Sequence, residues 1–253
     1  MKSEKLKPGD AHYKAYVGSL KNYDVIGAMQ FNLLTSLGLR ESHKLLDIGC
    51  GSLRSGKLLI PYLKKGNYYG IEPNQWLIKE GIEHELGQGI LHAKEPFFND
   101  SAAFELSVFD EQFDFIVAQS IFTHTSKSQI KACFQEAKKV LKQNGLFVAT
   151  FCVGNSDYTG DQWVYPSFIF YKHQTIISLA KAAGLSCRKM NWQHPGVQTW
   201  YVIYQPTAQA MVAKKLRPLF HVNKARLNLK KLGMRFPFLK KRWTKALYRK
   251  WKG

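Results

Sequence analysis

A turn with two glycines is the first part of the sequence whose residue types indicate ligand chemistry. It follows a short apolar run and reads Asp47-Ile48-Gly49-Cys50-Gly51-Ser52. Glycines let the backbone approach a ligand closely, and the helix predicted after them offers free N–H groups at its N-terminus. Glu72 ends the next apolar run, at about the spacing, roughly 20 residues, at which an acid binds ribose hydroxyls in nucleotide folds. The pattern predicts a ligand that contains adenosine.

Two details of this turn favour S-adenosylmethionine over a dinucleotide. Asp47 stands two positions before the first glycine, and Arg54 stands where the dinucleotide fingerprint requires its third glycine. A pyrophosphate therefore fits the turn poorly. The alternative is that the two acids are surface groups at strand ends. The cofactor-binding residues that we predict from this pattern are Asp47, Gly49, Cys50, Gly51 and Glu72.

A polar loop follows the apolar segment Phe113–Ala118, which we predict to be a strand that ends at the ligand edge of a sheet. The loop carries Gln119, Ser120 and His124, of which we assign Gln119 to the cofactor and His124 to catalysis. Methyl transfer to a hydroxyl needs a base for the acceptor's proton, and the near-neutral pKa of histidine suits that role. Alternatively, His124 caps the helix that begins near Ser126, or only shapes the pocket.

Aromatic and acidic residues cluster after the following apolar run, and their position at the same edge indicates acceptor binding. Aromatic rings stack on sugar rings and acids bind sugar hydroxyls, although the same residues can equally pack as an ordered loop. His194 is a weaker candidate because it can instead cap a turn. The predicted acceptor-binding residues are Tyr158, Asp161, Trp163, Tyr165 and His194. The 4 cysteines are scattered and lack a matching histidine spacing, so we predict no metal site.

Alternating apolar runs and amphipathic segments place these residues on an α/β fold. We expect about seven strands in a doubly wound, mostly parallel sheet, with Ser186–Trp192 and Thr199–Gln205 as an antiparallel pair at its edge. No clear apolar run marks the third strand. The predicted domains are a helical N-terminal lid or preface at 1–40, a catalytic domain at 41–205 and an extension at 206–253.

Residues 45–51 and Tyr69-Gly70-Ile71-Glu72 resemble motif I and the ribose acid of class I S-adenosylmethionine-dependent methyltransferases. The resemblance covers about residues 40–205 and implies a Rossmann-like sheet. It also implies that the two motif glycines make room for the methionine part of the cofactor, that Asp47 supports the loop or the amino group, and that Glu72 holds the ribose. The family often has a third glycine where Leu53 stands, so the turn departs from the pattern.

The resemblance extends in two further directions. Family members usually place a polar or acidic residue near adenine after the third strand, and Asp100 is the nearest candidate, although it can also be a turn or cap residue. More narrowly, Asp47–Leu63 with Gln119–Thr125 resembles bacterial methyltransferases associated with surface polysaccharide synthesis. The signature of many enzymes that methylate exocyclic base amines is missing after the Phe113 strand, which disfavours a nucleic-acid amine as the acceptor.

The formal net charge of +19 is concentrated at the C-terminus. Residues 206–253 hold 15 of the 37 Lys and Arg residues and none of the 18 Asp and Glu residues. Apolar side chains recur there every four residues, at Leu239, Trp243, Leu247 and Trp251, which predicts a basic amphipathic helix. Such a helix suits an anionic membrane surface; the alternatives are RNA, or packing on the catalytic domain or on a second copy.

Together these patterns predict an O-methyltransferase of a saccharide or lipid-linked saccharide. It would work in the cytoplasm, peripherally on the inner face of the cytoplasmic membrane, because the sequence has no secretory signal and no apolar run long enough to span a bilayer. An RNA methyltransferase with a basic RNA-binding tail is the leading alternative. A scaffold that binds the cofactor without turnover is the other.

Overall fold

A computed structural model describes residues 6–217 of the 253-residue chain. Within that range lies one sheet of seven strands, of which six run in the same direction and β7 is antiparallel to both of its neighbours. The strand order across the sheet is β3 (Phe97–Asn99), β2 (Tyr68–Ile71), β1 (Leu45–Ile48), β4 (Phe113–Ala118), β5 (Leu141–Cys152), β7 (Gln198–Tyr204) and β6 (Ser186–Lys189). The predicted doubly wound α/β fold with an antiparallel edge pair is confirmed.

Helices flank this sheet. The bounds are α1 (Tyr13–Tyr16), α2 (Tyr23–Ser36), α3 (Gly56–Tyr62), α4 (Gln75–Gly81), α5 (Gln88–Lys94), α6 (Lys127–Val140) and α7 (His173–Ala182). A π-helical segment, Ile82–Leu86, directly continues α4. In the described part of the chain, no helix combines the length and the apolar character needed to span a membrane.

The loop after β4 is anchored by an aromatic cluster beneath it. Phe122 is fully buried and stacks on Phe151 at a centroid distance of 5.0 Å, while Phe134 of α6 meets it edge-on at 5.5 Å. Burying each phenyl ring contributes about 1.5–3 kcal/mol. Directly after this loop, a capping box of Ser126 and Gln129 starts α6. Because both ends are fixed, the loop can hold functional side chains in place.

By contact density the chain divides into a unit of residues 1–212 and a second unit of residues 213–253. The N-terminal helices that we predict as a separate lid or preface belong to the first unit. The predicted amphipathic helix, with Leu239, Trp243, Leu247 and Trp251, lies outside the described residues.

Candidate active site

A cavity of about 450 Å³ opens at the carboxyl edge of β1, β2 and β4. Its walls combine the glycine turn after β1, the end of β2, the loop after β4, the segment around α1, and residues 163–168. Residues far apart in sequence thus converge at the edge where open α/β sheets bind ligands.

Both glycines of the turn have conformations and surroundings that exclude a side chain. Gly49 has φ +68°, and a Cβ there would lie 2.1 Å from Cδ1 of Ile121. Gly51 has φ +55°, and a Cβ there would lie 2.7 Å from Cγ1 of Val17. The turn therefore lines the cavity with bare backbone, as close ligand approach requires.

Leu53, which replaces the third glycine of the resembled motif, keeps a glycine-like backbone. Its φ is +58° and its side chain is fully buried. The isobutyl group packs against Gly56 and Gly81, where added Cβ atoms would meet Leu53 at 3.0 and 3.1 Å. The turn thus has the left-handed shape without the glycine, and glycines elsewhere make room for the leucine.

Asp47 supports this turn from beneath. Its Oδ2 accepts hydrogen bonds from the hydroxyls of Ser55, at 3.1 Å, and Tyr68, at 2.9 Å. Burial raises the pKa of the Asp47 carboxyl to about 6, and the two hydroxyls partly oppose that rise. The carboxylate therefore connects the end of β1 to β2 and to the residue before α3.

Glu72 connects the end of β2 to the glycine turn. Its Oε2 accepts from the backbone N–H of Gly51 at 3.0 Å, and its Oε1 accepts from the backbone and side-chain nitrogens of Asn74, each at 2.9 Å. Burial raises the pKa of Glu72, and these N–H donors limit the rise. The carboxylate lines the cavity and keeps lone pairs for ribose hydroxyls.

Arg54 is a buried cation at the cavity wall, with 8% of its surface exposed. One terminal nitrogen donates to the carbonyl oxygen of Val17 at 2.8 Å and the other donates to Oε1 of Gln119. Its Nε has no hydrogen-bond partner, and among residues 6–217 no carboxylate forms a salt bridge with it. Burial lowers the pKa of Arg54 to about 10, so the guanidinium is charged at neutral pH.

His124 lines the cavity with a defined tautomer. Its Nδ1 lies 2.7 Å from the carbonyl oxygen of Ser167, and because a carbonyl only accepts, Nδ1 carries the proton. Nε2 is then the unprotonated nitrogen. Burial lowers the pKa of the imidazole, so the ring is neutral at pH 7. The side chain has the protonation state that a general base needs.

Three aromatic rings surround His124. The ring of Phe168 stacks on it at 5.3 Å, Trp163 lies at 5.5 Å, and Tyr165 meets it edge-on at 4.9 Å. Trp163 is 43% exposed and Phe168 is 51% exposed, although both line the cavity. They form an aromatic rim, Trp163, Tyr165 and Phe168, that a planar or ring-shaped acceptor can stack against.

The segment around α1 covers one side of the cavity. Lys14 forms a salt bridge with Glu85 at 2.7 Å, and the Tyr13 hydroxyl donates to the same carboxylate at 3.1 Å. The Tyr165 hydroxyl donates to the carbonyl oxygen of Tyr16. Tyr13 and Tyr16, which belong to the predicted lid or preface at 1–40, are thus hydrogen-bonded to the elements around the cavity.

The remaining predicted site residues occupy varied places. Gln119 is buried at the cavity wall, and Cys50 is buried beside Asp47 at a small recess behind the turn. Among the residues that do not line the cavity, Asp100 and Asp161 are exposed, and Tyr158 is half-buried. His194 lies behind Gln119, with the two Nε2 atoms 3.3 Å apart, and burial lowers its pKa to about 4.

Sequence reasoning missed several residues that line the cavity. Ser101 and Ala102, next to Asp100, line the wall beyond Glu72, and Phe168 stacks on His124. From the sequence alone, we use Arg54 only as the residue that replaces the third glycine of the dinucleotide fingerprint. A charged side chain beside the glycines of such a turn is itself an indication of a functional role. The described residues also contain a group of candidate metal ligands, Glu80, Glu83 and His84, partly exposed around the end of α4 and separate from the cavity lining.

The residues that line the cavity suit S-adenosylmethionine. Gly49 and Gly51 keep bare backbone at the cavity wall, Glu72 offers a carboxylate to a ribose, and Arg54 carries an unpartnered buried N–H. The residues present therefore fit the predicted cofactor.

Comparison with known proteins leads to the same class. Residues 46–147 match the family model described as "Methyltransferase domain". The chain is 25% identical over 195 residues to the 18S rRNA (guanine(1575)-N(7))-methyltransferase of Saccharomyces cerevisiae, a match that covers 72% of this chain and 64% of that protein. It is 22% identical over 136 residues to sterol 24-C-methyltransferase erg6 of Aspergillus fumigatus, covering 54% of this chain and 35% of that one.

Among solved structures, magnesium protoporphyrin IX methyltransferase from Synechocystis PCC 6803 with bound SAH is similar in fold, with a TM-score of 0.55 at 12% identity. That match covers 79% of this chain and 91% of the other. Residues 46–147 thus match a methyltransferase domain, and the fold is one that S-adenosylmethionine-dependent methyltransferases of known structure share. It spans 64% and 35% of the lengths of the two curated relatives, whose names give different acceptors.

Proposed function

We propose that this methyltransferase domain, with S-adenosylmethionine as its cofactor, serves O-methylation of a saccharide or a lipid-linked glycan. The observation that carries the proposal is His124, a neutral imidazole with its proton fixed on Nδ1, which lies beside the aromatic rim in the cavity that the glycine turn also lines. A base is needed for a hydroxyl acceptor and is dispensable for stronger nucleophiles. An aromatic rim with exposed ring faces suits a sugar ring.

The roles of the side chains follow from their positions. Gly49, Gly51 and Glu72 would hold S-adenosylmethionine, which would supply an electrophilic sulfonium methyl group to the acceptor oxygen and would leave as the neutral thioether. His124 takes the hydroxyl proton at Nε2, and Ser167 keeps the imidazole in the tautomer that can do so. Trp163 and Phe168 orient the acceptor, and such alignment supplies much of the acceleration in a displacement reaction.

The tail of residues 206–253 supports a location at the inner membrane face. Its charge is entirely basic, and each such residue near an anionic surface contributes about 1 kcal/mol to binding. RNA is the second candidate acceptor, favoured by the yeast relative, whose name is that of an 18S rRNA methyltransferase, and by the same basic tail. The two candidates differ in what the tail binds, an anionic membrane surface or RNA, and in the acceptor that gains the methyl group.

The first experiment follows radiolabelled methyl transfer from S-adenosylmethionine with the full chain. The acceptors are a bacterial lipid-linked saccharide extract and total RNA from the same cells. We expect the wild-type chain to label the saccharide fraction. The variant His124→Asn should lose this labelling and still bind the cofactor. Label in RNA instead would favour the second candidate, and cofactor binding with no transfer to either extract would contradict both.

The second experiment tests the tail with charge replacements in the full chain. A variant with Lys240→Gln, Lys241→Gln and Arg242→Gln should bind phosphatidylglycerol vesicles about a hundredfold more weakly, because three contributions of about 1 kcal/mol are lost. The matched control replaces three exposed lysines of the first unit, Lys64, Lys65 and Lys131, with glutamine. Equal loss in both variants would contradict a specific membrane contact by the tail.

A further inference from the structure

Ser120 has a strained backbone at the cavity wall. It directly follows Gln119 after β4, its φ is +61°, and it lines the cavity. Its backbone N–H donates to Oγ1 of Thr150 at 2.8 Å, which holds the residue in this left-handed conformation. A non-glycine residue in this region costs on the order of 1 kcal/mol or more and tends to mark a functional position.

The direction of the hydrogen bonds around Ser120 is set by Arg54. A guanidinium only donates, so the amide atom of Gln119 that faces it must be Oε1. Nε2 of Gln119 then points the other way and donates to Oγ of Ser120 at 2.7 Å and to Oε1 of Gln198 at 3.3 Å. With its Oε1 accepting, Gln198 donates from Nε2 to the same Oγ of Ser120 at 2.5 Å.

Both lone pairs of the Ser120 hydroxyl are therefore occupied by amide donors. The hydroxyl can act only as a donor, and residues 6–217 offer no hydrogen-bond acceptor for its proton. Because Ser120 lines the cavity, the proton is available to a ligand there. Ser120 is consequently neither a base nor a nucleophile in this arrangement.

The donor is also strengthened by a buried positive charge. The guanidinium of Arg54 has no salt-bridge partner among the described residues, and its field acts on Ser120 through the amide of Gln119. Hydrogen bonds in such a chain polarise one another, and a donor of this kind favours an ionised acceptor oxygen over a neutral one.

We propose that Ser120 determines acceptor specificity. Its hydroxyl donates a hydrogen bond to an anionic oxygen, of a carboxylate or a phosphate, which the acceptor carries near the hydroxyl to be methylated. The inference rests on the proposed O-methylation, in which His124 takes the hydroxyl proton. The acceptor class is then an acidic saccharide, such as a uronic acid or a sugar phosphate.

The test uses three matched probes: 4-nitrophenyl β-D-glucoside, its glucuronide and its 6-phosphate. Binding to the full chain is measured by calorimetry with S-adenosylhomocysteine present, and methyl transfer is measured with labelled S-adenosylmethionine. Ser120→Ala and Ser120→Gly both remove the hydroxyl, but only the glycine relieves the left-handed backbone, so agreement between them isolates the hydroxyl. Ser107→Ala, at an exposed serine bonded to Glu136, is the control.

We expect the wild-type chain and Ser107→Ala to prefer an anionic probe over the glucoside by about tenfold or more. Both Ser120 variants should lose that preference while their affinity for S-adenosylmethionine is unchanged. Three results would overturn the role of Ser120. They are methyl transfer with no preference for an anionic probe, a preference that persists in both Ser120 variants, and a loss of cofactor affinity in those variants. Binding of the cofactor with no transfer to any probe would instead contradict the proposed saccharide O-methylation. The glucuronide and the phosphate distinguish the two anion types.

Discussion

Replacing Asp47 with asparagine should stabilise the fold at neutral pH. The carboxyl is buried, and its pKa is raised from the ordinary 3.8 to about 6. Above pH 6 the folded protein therefore holds a carboxylate in an environment that favours the neutral acid. Asparagine keeps an oxygen acceptor for the hydroxyls of Ser55 and Tyr68 and carries no charge.

The expected magnitude comes from the same values. A difference of about two pH units, at 1.36 kcal/mol each, gives about 3 kcal/mol of unfolding free energy. Because the folded pKa is raised above the unfolded one, the contribution of Asp47 to stability is fully present below about pH 4 and is lost as the pH rises through about 6. The advantage of Asp47→Asn should therefore be largest above pH 7 and vanish near pH 4.

The assay is urea unfolding of the full chain, followed by tryptophan fluorescence at pH 8, 6 and 4. The control is Asp114→Asn, because the carboxylate of Asp114 pairs with Lys142 at 2.8 Å and accepts from the N–H of Lys44 at 2.9 Å. That control should be destabilised by up to about 1 kcal/mol at pH 8. Equal or lower stability of Asp47→Asn at pH 8, or a gain that is the same at pH 4, would refute the reasoning.

Three further outcomes test the site and the turn. Glu72→Gln should weaken S-adenosylmethionine binding about tenfold or more in calorimetry, because a charge-assisted bond is lost; unchanged binding would contradict the ribose role. His124→Asn should lower kcat by about 10²–10⁴-fold. In the wild type, the rate should fall at acid pH, below pH 6.5, because the neutral imidazole is the active form, and the variant should lose this fall. A fall in rate that persists in the variant would mean that another group titrates there. Gly49→Ala should lower the free energy of unfolding by about 2–4 kcal/mol, because the added Cβ would strike Ile121. Gly89 lies in α5 with no atom near its Cβ position, so the control Gly89→Ala should raise the free energy of unfolding by about 0.5–1 kcal/mol. Similar urea midpoints for the two variants would contradict the steric argument.

The sequence predicts the central strands well and the edges of the sheet poorly. The bounds of β2 and β4 agree with their apolar runs because central parallel strands are buried on both faces. The strand β3 has only three residues, and these are partly exposed, so no apolar run marks it. Asn144-Gly145 predicts a turn, but both residues lie inside β5, where the register against β4 shifts between Phe113 and Phe115.

Some residues of the candidate site can be predicted from local sequence motifs, whereas others depend on contacts between segments far apart in the sequence. Gly49, Gly51, Glu72 and His124 follow from local motifs, and all of them line the cavity. The roles of Arg54 and Ser120 depend on contacts with residues about 37 and 78 positions away, Val17 and Gln198, which no local pattern contains. Pairings of that kind become visible only when the fold brings the segments together.

The backbone of Leu53 has a consequence for how this turn can evolve. A single change back to glycine would relieve about 1–2 kcal/mol of left-handed strain, but removing the buried isobutyl group would cost about 2–5 kcal/mol through the void left beside Gly56 and Gly81. A larger residue at position 56 could refill the void only together with the loss of the leucine, whereas a Cβ at Gly81 would lie 2.6 Å from the backbone of Ser52 whatever residue stands at position 53. Positions 53 and 56 are thus expected to vary together among descendants of this sequence, and the path back to the commoner glycine turn requires coupled substitutions.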